Sequence, residues 1–138
     1  MSPSSAPGSL QPPLRPRNGH TLLVLDIARI STEHQDQRSL QDQEALYRRW
    51  LDEHAGGPYH LEMIAGRGSG ERLDRDETRH ARAAVESGRF DLVIAEDLGR
   101  IFRRVHVQIF CELCEDYGTR LIALNDQVDT AQENWRVP

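Results

Sequence analysis

The chain has 138 residues, 38% hydrophobic and 28% charged, which is the size and balance of one globular domain with its own core. No apolar run approaches the ~20 residues of a membrane span, the N-terminus lacks the apolar middle of a signal peptide, and two cysteines are too few for a disulfide framework, so the sequence reads as cytoplasmic. The formal charge of −5 argues, taken alone, against a protein that coats nucleic acid, yet all 17 basic residues are arginine, whose planar fork suits phosphate.

Residues 1–19 are rich in Pro, Ser and Gly with almost no apolar content, a composition that predicts a disordered leader. From Thr21 onward strand and helix patterns alternate. A first strand is expected over Thr21–Ala28 and a first helix over Leu40–His54, with Ser39 as its N-cap and Leu40, Leu46, Tyr47, Trp50 and Leu51 at helical spacing. Gly56-Gly57-Pro58 stops that helix. A weaker strand, Tyr59–Ile64, leads through a Gly-rich loop to a helix over Arg75–Ser87 that Gly88 closes. Leu92–Ala95 is a continuous apolar run of the kind buried on both faces. A helix over Val105–Tyr117 carries Ile109, Phe110, Leu113, Cys114 and Tyr117 as its apolar stripe, and a last strand covers Arg120–Leu124.

Strands separated by helices of about a dozen residues imply right-handed crossovers. The expected fold is therefore α/β, an open, mainly parallel sheet of four to five strands with helices on both faces. Sites in such sheets lie beyond the carboxyl ends of the strands. Arg29 and Ser31 follow the first strand, Arg67, Ser69, Arg72 and Arg75 the second, and Arg100, Arg103 and Arg104 the third. Several guanidiniums around one hydroxyl suit a phosphodiester: forks aimed at the non-bridging oxygens stabilise the charge that builds during in-line attack, and no metal is needed. The same field lowers the pKa of a serine hydroxyl.

Other candidates are weaker. Gly66, Gly68 and Gly70 miss the dinucleotide-binding spacing because Glu71 stands where a glycine belongs. Cys111 and Cys114 fall in a helical stripe without further ligands, which favours core packing over a zinc site, and the six histidines show no ligand spacing.

Arg29-Ile30-Ser31-Thr32 with Gln35, followed by Ser39-Leu40 and Gln43, resembles the opening motif of the serine recombinases, the resolvase/invertase family. Ser69-Gly70 with Leu73-Asp74-Arg75 is similar to the family's second motif, and Leu98-Gly99-Arg100-Ile101-Phe102-Arg103 to its third; Val128-Asp129-Thr130 also fits. The long interval between Ser31 and Ser39 looks more like the large recombinases and integrases. The resemblance implies a resolvase-like catalytic domain over residues 20–131, in which Ser31 attacks a phosphodiester of double-stranded DNA to give a 5′-phosphoseryl link. It implies that Arg29, Arg75, Arg100 and Arg103 hold the scissile phosphate, that Gln35, Gln43 and Ser69 support them, and that no cofactor is required. It also implies a homo-oligomer, a dimer that assembles into a synaptic tetramer, so that the chain by itself is expected to be inactive. Residues 132–138 then read as the start of a truncated C-terminal extension. Three positions depart from the pattern: Gly66 lies near the place of an acidic residue, Gly99 replaces the Asp before Arg100, and Glu96 aligns with a lysine of some resolvases. The alternatives are a degenerate or truncated, non-catalytic relative that binds DNA or a protein partner, and a small phosphate-ligand-binding α/β module.

Overall fold

The computed structural model of the chain describes residues 12–29, 40–66, 75–102 and 104–132. Its elements run β1 (Leu22–Arg29), α1 (Leu40–His54), β2 (Tyr59–Gly66), α2 (Arg75–Glu86), β3 (Leu92–Ala95), α3 (Leu98–Ile101), α4 (Arg104–Asp116), β4 (Arg120–Ala123) and β5 (Val128–Asp129). The five strands form one sheet in the order β2-β1-β3-β4-β5. The β1–β2, β1–β3 and β3–β4 pairs are parallel, and β5 folds back antiparallel on β4. The open, mainly parallel sheet expected from the sequence is thus the sheet observed. Both β1 and β2 run on past their expected ends, to Arg29 and Gly66, which face each other in register.

The alternation of β1 divides the core. Leu25 and Ile27 join Val93, Ala95, Leu121 and Ala123 on the face covered by Ala81 and Val85 of α2 and by Phe110, Cys111 and Cys114 of α4. Leu22 and Val24 join Leu92, Ile94 and Ile122 on the other face, under Tyr47 and Leu51 of α1. A period of two on the strand therefore sends alternate residues to helices on opposite sides. These side chains are nearly all below one-tenth exposed, and each large one contributes roughly 1.5–3 kcal/mol through burial.

Two expectations need correction. The stripe on α4 is Val107, Phe110, Cys111, Leu113 and Cys114; Ile109 and Tyr117, assigned to it from the sequence, are exposed. Both stripes have helical spacing and share Phe110, whose ring packs on that of Phe102 with centroids 4.8 Å apart. The leader expected to be disordered over 1–19 is docked from residue 12 onward. Leu14 is buried against Leu22, Val24 and Leu92, the Arg17 amide donates to Asp91 Oδ1 at 3.0 Å, and the Arg17 guanidinium donates to the carbonyls of Gly88 and Tyr117. Composition undervalued the segment because Leu14 and Arg17 find partners across the fold. Gly118, beside the Arg17 guanidinium, has φ +69°, a conformation that favours glycine at this helix-ending turn.

Candidate active site

The carboxyl ends of β1, β2 and β3 lie side by side. Arg29 closes β1 opposite Gly66 of β2, and Ile27 pairs with Ala95, the last residue of β3. Arg75 opens α2, and Arg100 is the third residue of α3. The structure thus describes the backbone positions of Arg29, Arg75 and Arg100 at elements that end or begin on this rim. Ser31, Gln35, Ser69 and Arg103 lie outside the described residues. Gln43 is described: it sits in the first turn of α1, it is buried, and it lies on the same face as Tyr47 and Leu51, at spacings of four. Gln43 is thus a polar residue at the rim end of an otherwise apolar stripe.

The one-turn helix α3 was not anticipated from the sequence. Its N-cap Asp97 makes no side-chain cap; the first amide, Leu98 N–H, donates instead to Asp126 Oδ2 at 2.6 Å. The Asn125 side chain holds Asp97 at 3.1 Å, and the Leu124 and Asn125 amides donate to the Ala95 and Glu96 carbonyls. Leu98 and Phe102 are buried on either side of this turn, so the segment bearing Arg100 is anchored at both ends. Gly99 is its second residue, and a Cβ there would meet nothing within 4 Å.

Two residues near the rim were missed as site candidates. The first, Tyr47, is fully buried, and its hydroxyl donates to the Ile27 carbonyl at 2.9 Å and accepts the Glu96 amide at 3.0 Å. Burial, then the neighbouring Asp26 and Glu96 charges, push its pKa up, so the phenol remains a donor. The second, Asp26, is also fully buried, and among the described residues neither carboxylate oxygen has a hydrogen-bond partner. Burial pushes its pKa up to about 7, helped by the Glu44 charge and opposed by Arg48. The signal for Asp26 was in the sequence, as an acid inside the apolar run Leu22–Ala28.

The cysteines are part of the packing. Both are buried, and burial raises the Cys111 thiol to about 12 and the Cys114 thiol further, which removes thiolate chemistry near neutral pH. Among the described residues no three His, Cys, Asp or Glu side chains group as metal ligands, and no helix is long and apolar enough to cross a membrane.

Residues 24–137 match the family model of the resolvase N-terminal domain. Among solved structures, the N-terminal catalytic domain of TP901-1 integrase is similar in fold, with a TM-score of 0.66 at 20% identity, over 82% of this chain and 85% of that one. A resolvase family site-specific recombinase from Streptococcus pneumoniae is similar with a TM-score of 0.63 at 21% identity, over 81% of this chain and 78% of that one. Comparison with curated proteins gives no match.

Proposed function

The chain belongs to the resolvase family through its N-terminal domain, and from that premise we propose that it catalyses site-specific DNA strand exchange with Ser31 as nucleophile. The Ser31 Oγ attacks a backbone phosphorus, the 3′-oxygen leaves as a hydroxyl, and a 5′-phosphoserine remains. The ester keeps the energy of the broken bond, so a new 3′-hydroxyl reverses the step without a cofactor. Arg29, Arg75, Arg100 and Arg103 stabilise the charge on the phosphoryl oxygens, and Gln35, Gln43 and Ser69 orient the nucleophile and the clamp. The working form is a homo-oligomer on double-stranded DNA, a dimer that pairs into a tetramer, acting in the cytoplasm.

The observation that carries this reading is the register at the rim. Arg29 ends β1 opposite Gly66, and β3 stops beside Ile27 before the turn that bears Arg100, so separate stretches of sequence bring arginine positions to adjacent strand ends. A second reading, a relative that binds DNA without cutting it, is favoured by Gly66 and Gly99, which leave two positions on this rim without acids.

One experiment separates them. The full-length protein, able to assemble, is incubated with a pool of nicked duplexes of random sequence, denatured, and separated by size to reveal covalent adducts. We expect an adduct from the wild type and none from Ser31→Ala. Arg29→Ala, Arg100→Ala and Arg103→Ala should each lose roughly 100-fold or more in rate while remaining folded, the scale on which single charge-stabilising donors act. An adduct that survives Ser31→Ala sinks the mechanism; DNA binding without any adduct favours the second reading.

A further inference from the structure

We infer that Tyr47 is a positioning residue for the reaction: its hydroxyl bridges the diverging ends of β1 and β3 and so sets the spacing of the two segments that carry Arg29 and Arg100. The inference rests on the function proposed above and goes beyond it by assigning a residue on α1, away from the arginine motifs.

The geometry is that of a topological switch point. From β1 the chain crosses to β2 on one side, and β3 lies on the other, so the crevice between β1 and β3 opens at their carboxyl ends. Their backbone pairing runs from Val24 with Leu92 to Ile27 with Ala95 and ends there. One step beyond, the Tyr47 hydroxyl stands between the strands, donating to the Ile27 carbonyl at 2.9 Å and accepting from the Glu96 amide at 3.0 Å. A side chain thus supplies a rung where the ladder stops. A phenol has a single proton to donate, and here both of its roles are used.

Each end of that rung leads directly to the rim. Arg29 follows Ile27 by two residues in continuous strand, and Arg100 follows Glu96 by four through the anchored turn of α3. Phosphate clamps act only when their forks meet the transition state at hydrogen-bond distance, and a misplacement of about 1 Å can cost on the order of 100-fold in rate. The ring of Tyr47 is fully buried against the sheet, so the rung cannot swing away as a surface side chain would.

Tyr47→Phe keeps the ring and deletes the rung. Adduct formation on nicked random-sequence duplexes is measured across DNA concentration, together with amide hydrogen exchange at Glu96. The expected result is a maximal adduct rate at least tenfold below wild type, a half-saturating DNA concentration within about twofold, and Glu96 exchange at least tenfold faster. Leu14→Ala, which loosens the core at the other end of the sheet, serves as a control for simple destabilisation and should keep its maximal rate per folded molecule. A Tyr47→Phe protein with a maximal rate within twofold of wild type overturns the inference, as does one whose rate falls only through weaker DNA binding. Absence of any adduct from the wild type defeats the proposed reaction and this role with it, and it is told apart from failure of the rung by the exchange data. If Tyr47→Phe does not fold, the wild-type amide decides: exchange at Glu96 as fast as in the exposed turn around Asp126 overturns the inference.

Discussion

Arg120 grips Asp129 through two parallel contacts, Nε to Oδ1 at 2.8 Å and Nη2 to Oδ2 at 2.6 Å, and this fork fastens the antiparallel β5 to β4. Both side chains are largely withdrawn from water, and Asp129 Oδ1 also accepts the Ala131 amide at 3.0 Å. Removing one partner leaves the other charge poorly hydrated and unpaired. Asp129→Ala should therefore lower stability by about 2 kcal/mol, read from the urea midpoint. Replacing both residues, as Arg120→Met with Asp129→Leu, should cost less than the single change. A double variant weaker than Asp129→Ala would count against the ion pair as the source of the loss.

Asp26 should cost the protein stability at neutral pH. Its folded pKa is raised from 3.8 to about 7. Between those values the folded chain keeps a proton that the unfolded chain has released. Stability therefore falls as pH rises through this window and levels off above it. The total is on the order of a few kcal/mol, since each pKa unit corresponds to about 1.4 kcal/mol. Asp26→Val should be more stable than wild type at pH 8, with the difference closing toward pH 4. Urea melts at both values check the sign; a variant less stable than wild type at pH 8 would show that a partner satisfies the carboxylate in solution.

The docked N-terminal segment gives a third expectation. Leu14 shares a cluster with Leu22 and Leu92, and its neighbours Pro12 and Arg17 bond to Arg120 and Asp91 near the amino ends of β4 and β3, while the rim of arginine positions lies at the carboxyl ends. Leu14→Ala should lose about 2–3 kcal/mol, the scale of a leucine truncation in a core. The rate of adduct formation per folded molecule should be unchanged. A matching loss of rate would mean that the two ends of the sheet are coupled.

Legibility in the sequence followed the range of each interaction. The bounds of α1 and β3 were readable to the residue, because a long periodic stripe and an unbroken apolar run are local signals. The four-residue α3 has no period to read, and its first amide is satisfied by Asp126, 28 residues away. The phase of α4 was not fixed by its own spacing, because two overlapping stripes both have helical period. Tyr47 was readable as an apolar contact of α1, but its hydroxyl meets Ile27 and Glu96, 20 and 49 residues distant. At the rim, Arg29 ends β1, Arg75 opens α2 and Arg100 lies in α3, an order that follows from the alternation of elements. Asp26 was visible as an acid in an apolar run, and only the packed sheet shows that it lacks a partner.

Gly99 offers the most direct probe of the departures in the third motif. A Cβ at this position meets nothing within 4 Å, so the first atom of a side chain has room there. Glycine is also a poor helix former, by roughly 0.5–1 kcal/mol relative to ordinary residues, so replacement does not weaken the turn. The position lies at the amino end of α3, next to Arg100. On the function proposed above, an acid one residue before Arg100 offers a place for a proton in transit between the attacking and leaving oxygens. Gly99→Asp should therefore fold with an unchanged melting temperature to within a few degrees and raise the adduct rate by roughly tenfold, within the range of a single acid–base group. Single-turnover adduct formation across pH 6–9 measures it, and a new pH dependence should accompany the gain. If the rate falls instead, the added charge repels the phosphate, and the glycine is a working part of this site.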